Sequence, residues 1–296
     1  MTDQFKGAGL MIGAFLLGAI EMALVHGVGD RVSAMQLGFL RSLGHGLFLT
    51  VVVLVSRRPL IIRSNNIKIQ LVRGILSASG LWALYYTFAH MPLIDATALS
   101  YTRAIFMTIF AALILHEDVR WVRWFGVAVG LSGAALIIQP AFSNPNIVYF
   151  MGIAGPALNA AMQVSTKFAV KLDAMNTTVF WVFAISFVLF SPAIATEWTM
   201  PSSEILICVG LIAIIGPITT YMSLWAIRFA DVSMLAPFDY TRLIVNVLIA
   251  LIVFREMPTL YAWLGMAIIV VGCVAQSMRV GTRAAKASGI APGASR

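Results

Sequence analysis

Charged residues are scarce in this chain of 296 amino acids, since Asp, Glu, Lys and Arg together make up only 11% of it. A soluble globular domain carries about 25% charged residues. Hydrophobic residues make up 60% of the chain, in continuous runs of roughly 20 residues, the length of a helix that crosses a bilayer. These runs lack the alternation of a membrane β-barrel. The composition therefore excludes a soluble globular protein and predicts an all-α integral membrane protein.

Cysteine is also rare, and both residues of this type, Cys208 and Cys273, lie inside apolar runs. They are predicted to be small buried side chains rather than a disulfide framework or a metal site. The four histidines are scattered, and no glycine-rich phosphate loop is present. We therefore expect no enzyme, no metal and no cofactor. The excess of Lys and Arg is interpreted as cytoplasmic loops, so no nucleic acid partner is predicted.

The chain contains an internal repeat, with an offset that brings Tyr101-Thr102-Arg103 onto Tyr240-Thr241-Arg242. The same register, without a gap, aligns Ile105 with Ile244, Ala111 with Ala250, Glu117 with Glu256, Trp124 with Trp263, Gly126 with Gly265 and Gly133 with Gly272. Because Arg, Glu and Trp recur in register, hydrophobicity alone does not explain the match. Duplicated membrane units are typical of secondary transporters.

Ten transmembrane helices are predicted, as two inverted five-helix repeats. The first repeat covers 1–140 and the second 141–279, while 280–296 is predicted to be a disordered cytoplasmic tail. Glu21 interrupts the first apolar run and no cleavage site follows, so this run is expected to remain as an anchor. The predicted spans are 7–27, 34–55, 71–89, 94–115, 121–139, 147–166, 177–196, 204–227, 232–254 and 259–278.

The distribution of Lys and Arg predicts the orientation, because cytoplasmic loops are enriched in both. With both termini in the cytoplasm, the outside receives only Arg31 and Arg255. The inside receives Lys6, Arg57, Arg58, Arg63, Lys68, Arg73, Arg120, Arg123, Lys167, Lys171, Arg228, Arg279, Arg283, Lys286 and Arg296. Five spans per repeat is an odd number, so the second copy enters the membrane upside down relative to the first. The expected location is the bacterial cytoplasmic (inner) membrane.

Several motifs resemble the two repeats of EamA-type carriers, a family of the drug/metabolite transporter superfamily. The second repeat supplies Ala236-Pro237-Phe238-Asp239-Tyr240-Thr241-Arg242, Phe254-Arg255-Glu256-Met257-Pro258 and Trp263-Leu264-Gly265. The first repeat supplies the segment from Ala89 to Ala98 and Leu115-His116-Glu117. The resemblance covers roughly residues 7 to 278 and is greatest to the S-adenosylmethionine-carrier-like branch.

This resemblance implies a central cavity lined mainly by spans 1, 3, 4, 6, 8 and 9, and alternating access for a small organic solute. It also implies that spans 5 and 10 form a scaffold, with a homodimer as one option. The glycines Gly126, Gly133, Gly265 and Gly272 fit such close helix packing.

Ionisable residues inside the spans are costly, and they usually face a cavity or each other. Those well inside the spans are Glu21 in span 1, Arg41 and His45 in span 2, Arg103 in span 4, and Asp239 and Arg242 in span 9. In one interpretation the repeat partners Arg103 and Arg242 present their guanidinium groups to an anionic substrate. In the other, Arg242 pairs with Asp239, and Arg41 or Arg103 neutralises Glu21.

Glu21 is the candidate coupling group, because a desolvated carboxyl can exchange a proton as the cavity changes access. Aligning Gly13 with Gly155 places Gln163 of span 6 opposite Glu21, so that only one of the two positions is protonatable. A buried structural ion pair is the alternative. Protons are accordingly a candidate partner.

Aromatic residues recur symmetrically in the predicted cavity spans. Trp82 and Tyr86 lie four apart in span 3, and the repeat offset carries them onto Tyr221 and Trp225 in span 8. The candidate substrate-binding residues are Trp82, Tyr86, Tyr101, Arg103, Asn159, Gln163, Tyr221, Trp225, Asp239, Tyr240 and Arg242. Aromatic rings can stack on a substrate ring or hold a cation. An interfacial belt or helix packing is the alternative for these rings.

The predicted function is secondary active transport of a small organic metabolite, driven by protons or by exchange. Arginines and aromatics near the midplane favour a carboxylate-bearing, amino-acid-like solute. S-adenosylmethionine fits, because it joins a carboxylate to a sulfonium cation and an adenine ring. A carrier of organic cations or drugs is the alternative, followed by a channel or an integral-membrane enzyme.

Overall fold

The computed structural model describes residues 2–56, 62–114, 116, 121–139, 146–169, 172–196, 198–229 and 240–277, and within these ranges every regular element is helical. The helices are α1 Thr2–Val28, α2 Ala34–Ser56, α3 Ile67–His90, α4 Leu93–Ser100, α5 Thr102–Ile114, α6 Trp121–Ile137, α7 Ile147–Ala169, α8 Met175–Phe190, α9 Ala193–Thr196, α10 Ser203–Phe229, α11 Tyr240–Ile252 and α12 Leu260–Ser277. A short 3₁₀ turn, Gly29–Arg31, follows α1.

Six stretches are long and apolar enough to cross a membrane. They are Phe5–Arg31, Ala34–Val55, Leu93–Ile114, Ile147–Thr166, Asn176–Thr196 and Ser203–Ala226. Shorter apolar helices cover Trp124–Ile137, Thr241–Ile252 and Leu260–Cys273. The predicted multi-pass helical class is confirmed, whereas the number ten remains a prediction.

The helix pairs follow the internal repeat. The most extensive contacts join α6 to α12, α1 to α10, and α3 to α7. The repeat relates α1 to α7 and α3 to α10, so the α1–α10 contact and the α3–α7 contact are equivalent. The α6–α12 contact joins the last span of one copy to the last span of the other, so the repeat maps this contact onto itself. Each copy therefore makes equivalent contacts with the other copy.

Glycines bring α6 and α12 into backbone contact. A Cβ atom built on Gly133 would lie 2.6 Å from the carbonyl oxygen of Gly265, and one built on Gly265 would lie 2.7 Å from that of Gly133. At the other end of the crossing, a Cβ on Gly272 would lie 2.8 Å from the oxygen of Gly126. The predicted close packing at these four glycines is confirmed, because any larger residue would force the helices apart.

The fourth predicted span is divided at Tyr101 into α4 and α5. At this turn the Ser100 hydroxyl donates to the Thr97 carbonyl at 2.6 Å, and the Thr102 hydroxyl donates to the Leu99 carbonyl at 2.6 Å. These local hydrogen bonds satisfy carbonyls near the division. Arg103 is consequently the second residue of a new helix, α5, in the middle of the span, where ligand sites of carriers often lie.

Proline does not interrupt the two described helices that contain it. Pro156 lies inside α7 and Pro217 inside α10, and both helices continue past it. Pro237 of the ninth predicted span lies outside the described residues.

Candidate functional site

Glu21 of α1 lies at the centre of a buried polar cluster between three helices. Its Oε1 accepts a hydrogen bond from Arg41 Nε of α2 at 2.7 Å and another from the Tyr85 hydroxyl of α3 at 2.6 Å. Only 2% of Glu21 is exposed, and Tyr85 is fully buried. We call these three residues the Glu21 cluster. The arginine neutralises the carboxylate, as the ion-pair alternative anticipates.

The backbone of α10 packs against the Glu21 cluster. A Cβ atom on Gly216 would lie 2.5 Å from Arg41 Nε, so the glycine makes room for the guanidinium. His45, one turn after Arg41, lies 3.0 Å from the Arg41 carbonyl through Nδ1 and 3.3 Å from the Thr220 hydroxyl through Nε2. The cluster thus connects α1, α2 and α3 of the first repeat with α10 of the second.

Arg103 and Arg242, the two repeat-related arginines, line one cavity. Ser100, Tyr101 and Ala104 complete its wall, and its volume of about 30 Å³ holds one water-sized group. Arg242 Nε is buried and has no hydrogen-bond partner among the described residues. The fold therefore brings two arginines from opposite halves of the chain to one cavity, and within the described part of the chain one donor, Arg242 Nε, has no partner.

Asn246, four residues after Arg242, fixes this face of α11 against α4. Its Nδ2 donates to the Thr97 hydroxyl at 2.9 Å, and both residues are fully buried. Thr97 in turn accepts from Ser100, which lines the cavity. The arginine cavity therefore lies where the fourth and ninth predicted spans meet.

The predicted aromatic residues lie in several separate contacts. Trp82 and Tyr86 share a face of α3, with ring centroids 6.1 Å apart. Tyr221 is buried, its ring lies 4.9 Å from that of Phe48, and its hydroxyl has no partner among the described residues. Trp225 is 49% exposed and contacts Phe229. Trp82 and Tyr86 thus contact each other, whereas their repeat partners Tyr221 and Trp225 contact Phe48 and Phe229.

The remaining predicted residues are distributed between α7 and the start of α11. Asn159 Nδ2 donates to the Gly155 carbonyl at 3.0 Å and packs against Gly80 of α3. Gln163, one turn later, is partly buried. Asp239 and the side chain of Tyr240 lie outside the described residues, so the predicted Asp239–Arg242 pair stays untested.

Tyr85 is a residue that the sequence analysis missed. Its neighbour Tyr86 was chosen for its helical spacing from Trp82, whereas Tyr85 faces the opposite way, towards Glu21. The sequence offers one signal for Tyr85, since a buried tyrosine hydroxyl usually has a polar partner. That rule does not identify the carboxylate, because the partner depends on how the helices pack.

A polar connection at the predicted cytoplasmic end was also missed. Asp173 accepts hydrogen bonds from the Asn65 backbone at 2.8 Å, from Gln70 Nε2 at 2.7 Å, and from the Ser64 hydroxyl. Desolvation raises the pKa of the Asp173 carboxyl, but these hydrogen bonds outweigh it and the net pKa lies below its ordinary value. The segment after α7 is thereby fastened to the start of α3.

Two histidine–carboxylate pairs lie at the opposite end of the bundle. His26 Nε2 is 2.8 Å from Glu256 Oε1, and His90 Nε2 is 2.7 Å from Asp30 Oδ1. Both histidines occupy last helical turns of odd-numbered predicted spans, which end on the same side of the membrane. The alternation of the predicted spans therefore already indicates, from the sequence, that the two histidines lie on the same side of the membrane. In the described part of the chain, no group of three His, Cys, Asp or Glu side chains is arranged to hold a metal.

Known proteins resemble this chain along most of its length. The sequence model of the EamA-like transporter family matches residues 5–139 and again residues 146–278. An S-adenosylmethionine uptake transporter of Rickettsia bellii is 25% identical over 87% of this chain and 90% of its own length. A riboflavin transporter of Brucella anthropi is 29% identical over 76% of this chain and 81% of its own.

Two further similarities broaden this picture. A pseudopaline exporter of Pseudomonas aeruginosa is 25% identical over 88% of this chain and 91% of its own length. A solved crystal structure aligns with a TM-score of 0.66 at 16% identity, covering 93% of this chain and 99% of that one. The structural alignment supports the fold alone.

Proposed function

The chain belongs to the EamA-like transporter family, and from this premise we propose that it carries a small, carboxylate-bearing metabolite across the bacterial inner membrane. The observation that carries this proposal is the shared cavity of Arg103 and Arg242, with an Arg242 Nε donor that has no hydrogen-bond partner among the described residues. A planar guanidinium suits a carboxylate, and an anion there would satisfy the buried donor. In this conformation the cavity holds only the charged group, so we expect it to widen around the rest of the substrate.

The aromatic residues of α3 are proposed to contact the remainder of the substrate. Trp82 and Tyr86 form the contacting pair, and Tyr221 and Trp225 on α10 are their repeat partners. S-adenosylmethionine, the solute named for several relatives, has both the carboxylate and a ring to stack. Riboflavin, named for others, has a ring system without a carboxylate and would depend on the aromatics.

The proposed mechanism is alternating access by two inverted repeats, 1–140 and 141–279, in ten spans with both termini in the cytoplasm. Its support is the equivalence of the α1–α10 and α3–α7 contacts, because exchanging the conformations of two equivalent halves opens the opposite side. The scaffold pair α6 and α12 would stay fixed during this exchange.

Glu21 is proposed as the coupling group. Its carboxylate is held by Arg41 and Tyr85, and a proton can take the place of the arginine when the helices rearrange. Because α10 of the second repeat backs the arginine, movement between the repeats would alter this pair. The Glu21 cluster would thus transmit protonation to the relative position of the two halves.

The substrate proposal is tested by thermal stabilisation of the purified protein against a panel of metabolites at fixed pH. The panel contains amino acids, S-adenosylmethionine, nucleosides, flavins, dicarboxylates and quaternary amines. A ligand at 100 times its Kd stabilises by about 2.7 kcal/mol. We expect a carboxylate-bearing compound to give the largest shift, and Arg103→Ala or Arg242→Ala to abolish it.

Arg31→Ala is the matched control, since this exposed arginine lies away from the cavity and its loss should leave the shift intact. Stabilisation by a cation that survives both cavity substitutions would contradict the anion site. It would favour the aromatics and acids as the binding groups.

The coupling proposal is tested by flux of the panel ligand into proteoliposomes under a pH gradient. We expect the gradient to accelerate flux severalfold in the parent protein. Glu21→Gln should lose this acceleration while retaining exchange of labelled for unlabelled ligand, because the amide cannot exchange a proton. Glu21→Asp, which retains a carboxyl, is the control. Undiminished gradient-driven flux in Glu21→Gln would remove Glu21 from the coupling role.

A further inference from the structure

The two histidine–carboxylate pairs close one end of the bundle. Glu256, between α11 and α12, contacts His26 at the end of α1 through Oε1 and accepts from the backbone N–H of Leu93, the first residue of α4, at 2.8 Å through Oε2. His90 ends α3 and contacts Asp30 of the turn after α1. We call these four side chains the histidine latch. The His26–Glu256 pair joins the second repeat to the first, and the His90–Asp30 pair joins α3 to the turn after α1, at the end that the proposed orientation places outside.

Both histidine rings lie between two hydrogen-bond acceptors. His26 Nδ1 is 2.8 Å from the Phe88 carbonyl, while its Nε2 faces Glu256. His90 Nδ1 is 2.7 Å from the Tyr86 carbonyl, while its Nε2 faces Asp30. A backbone carbonyl accepts only, so each Nδ1 must carry a hydrogen. Each Nε2–carboxylate contact then needs one further proton, shared between the ring and the acid.

In the closed latch, each pair therefore binds one proton more than it would hold when separated into a neutral imidazole and a carboxylate. If this end of the bundle opens, the pairs separate and the rings meet water, where histidine exchanges protons near neutral pH. Closing takes up protons from the side that the latch faces. By linkage, acid on that side favours the closed latch and alkali favours the open one.

The other charged groups near the latch are Asp95, Arg31 and Arg255. Asp95 of α4 lies within electrostatic range of Glu256. Arg31 donates to the carbonyls of Gly27 and Val28, and Arg255 is exposed beside Glu256. The recorded carboxylate contacts of the latch are with the two histidines, which carry the protons that the closed geometry requires.

The latch has no counterpart of the same chemistry in the other repeat. The repeat offset carries His90 onto Phe229, and the alignment of α1 with α7 carries His26 onto Phe168. Phenylalanine cannot take up a proton. Proton-dependent closure at these positions is therefore confined to one side of the membrane.

We propose that the histidine latch is a proton-dependent closure of the external side, so that external pH sets how often the carrier opens outward. This inference rests on the orientation given under the proposed function, but it needs neither the substrate nor Glu21. It differs from the coupling proposal in the residues that carry the protons.

The test measures the distance between two spin labels placed across the latch in the full chain in lipid nanodiscs, without substrate. The labels are attached at Met200→Cys and Met257→Cys, both highly exposed in the parent protein, after Cys208→Ser and Cys273→Ala. Met200 belongs to the second repeat, but it follows Thr199, whose hydrogen bonds to Gln36 of α2 and to the Arg31 carbonyl attach this loop to the first repeat. Its label therefore reports the position of the first-repeat side. Met257 follows Glu256 on the second-repeat side.

We expect the shorter distance to dominate at pH 5.5 and a longer one to gain population up to pH 8.5. Two linked protons change the closed-to-open ratio by at most about 100-fold per pH unit, and one by at most about tenfold. His26→Gln with His90→Gln should remove the pH response. His90→Gln alone, at a partly exposed position that the fold tolerates, should reduce it to the one-proton limit.

His116→Asn is the matched control, because His116 lies on the opposite side of the bundle and its positive φ of 52° suits asparagine. The response should persist in His116→Asn and in Glu21→Gln. A pH-independent distance in the parent overturns the proposal. So does a response that survives loss of both latch histidines, or one that disappears in Glu21→Gln, which would support the coupling proposal instead.

Discussion

Arg41→Gln should lower the free energy of unfolding by about 3–5 kcal/mol, the range for breaking a buried ion pair by removing one partner. The substitution leaves the Glu21 carboxylate buried, with only the Tyr85 hydroxyl to compensate its charge. The measurement is thermal unfolding of the purified protein in detergent, at a fixed pH near neutrality.

The double substitution Glu21→Gln with Arg41→Gln is the informative control. Two amides can hydrogen-bond without an uncompensated charge, so the double variant should recover much of the stability that Arg41→Gln loses. If both variants unfold at the same temperature, the loss comes from arginine packing rather than from charge. Arg41 would then stabilise the bundle by packing alone, and neutralisation of the Glu21 charge would not be what holds the Glu21 cluster together.

Gly44→Ala should be the most disruptive single-methyl change among the described glycines. A Cβ atom at this position of α2 would lie 1.9 Å from the carbonyl oxygen of Ala213 on α10, and backbone cannot move aside as a flexible side chain can. We expect a loss of about 3 kcal/mol, the upper part of the range for overpacking, measured by the same thermal unfolding.

Gly210→Ala is the matched control for that substitution. It also concerns α10, but no atom lies within 4 Å of the added Cβ. Alanine is favoured over glycine in a helix by about 1 kcal/mol, so this variant should equal or exceed the parent in stability. Equal destabilisation by both substitutions would contradict a close α2–α10 crossing.

The sequence predicted the helical membrane class, and the repeat indicated two sets of distant residues that lie close together in the structure. Arg103 and Arg242 are far apart in the chain, yet their shared register placed both near one centre, where they now line one cavity. The glycines of α6 and α12 are likewise predicted from register, and they bring the backbones of these two helices into contact. Symmetry supplies this information because equivalent positions of two copies meet near the axis that relates them.

Contacts between non-equivalent positions could not be predicted in this way. Tyr85 reaches Glu21, and His26 reaches Glu256, across helices whose rotations about their own axes are not encoded in hydrophobic spacing. In a membrane both faces of a helix are apolar, so periodicity does not separate the lipid side from the interior. Helix α3 illustrates this, because Tyr85 and Tyr86 are adjacent and point to different partners.

The reciprocal contact of Gly133 and Gly265 also limits which substitutions the chain can accept during evolution. Each residue fills the space that a side chain on the other would need, and the two belong to different copies of the duplicated unit. Neither of these positions can take a larger residue, because the obstructing atom is a backbone carbonyl that no substitution in the other copy removes. The two halves can therefore diverge at other positions, whereas this crossing requires both copies to keep their glycines in the last span.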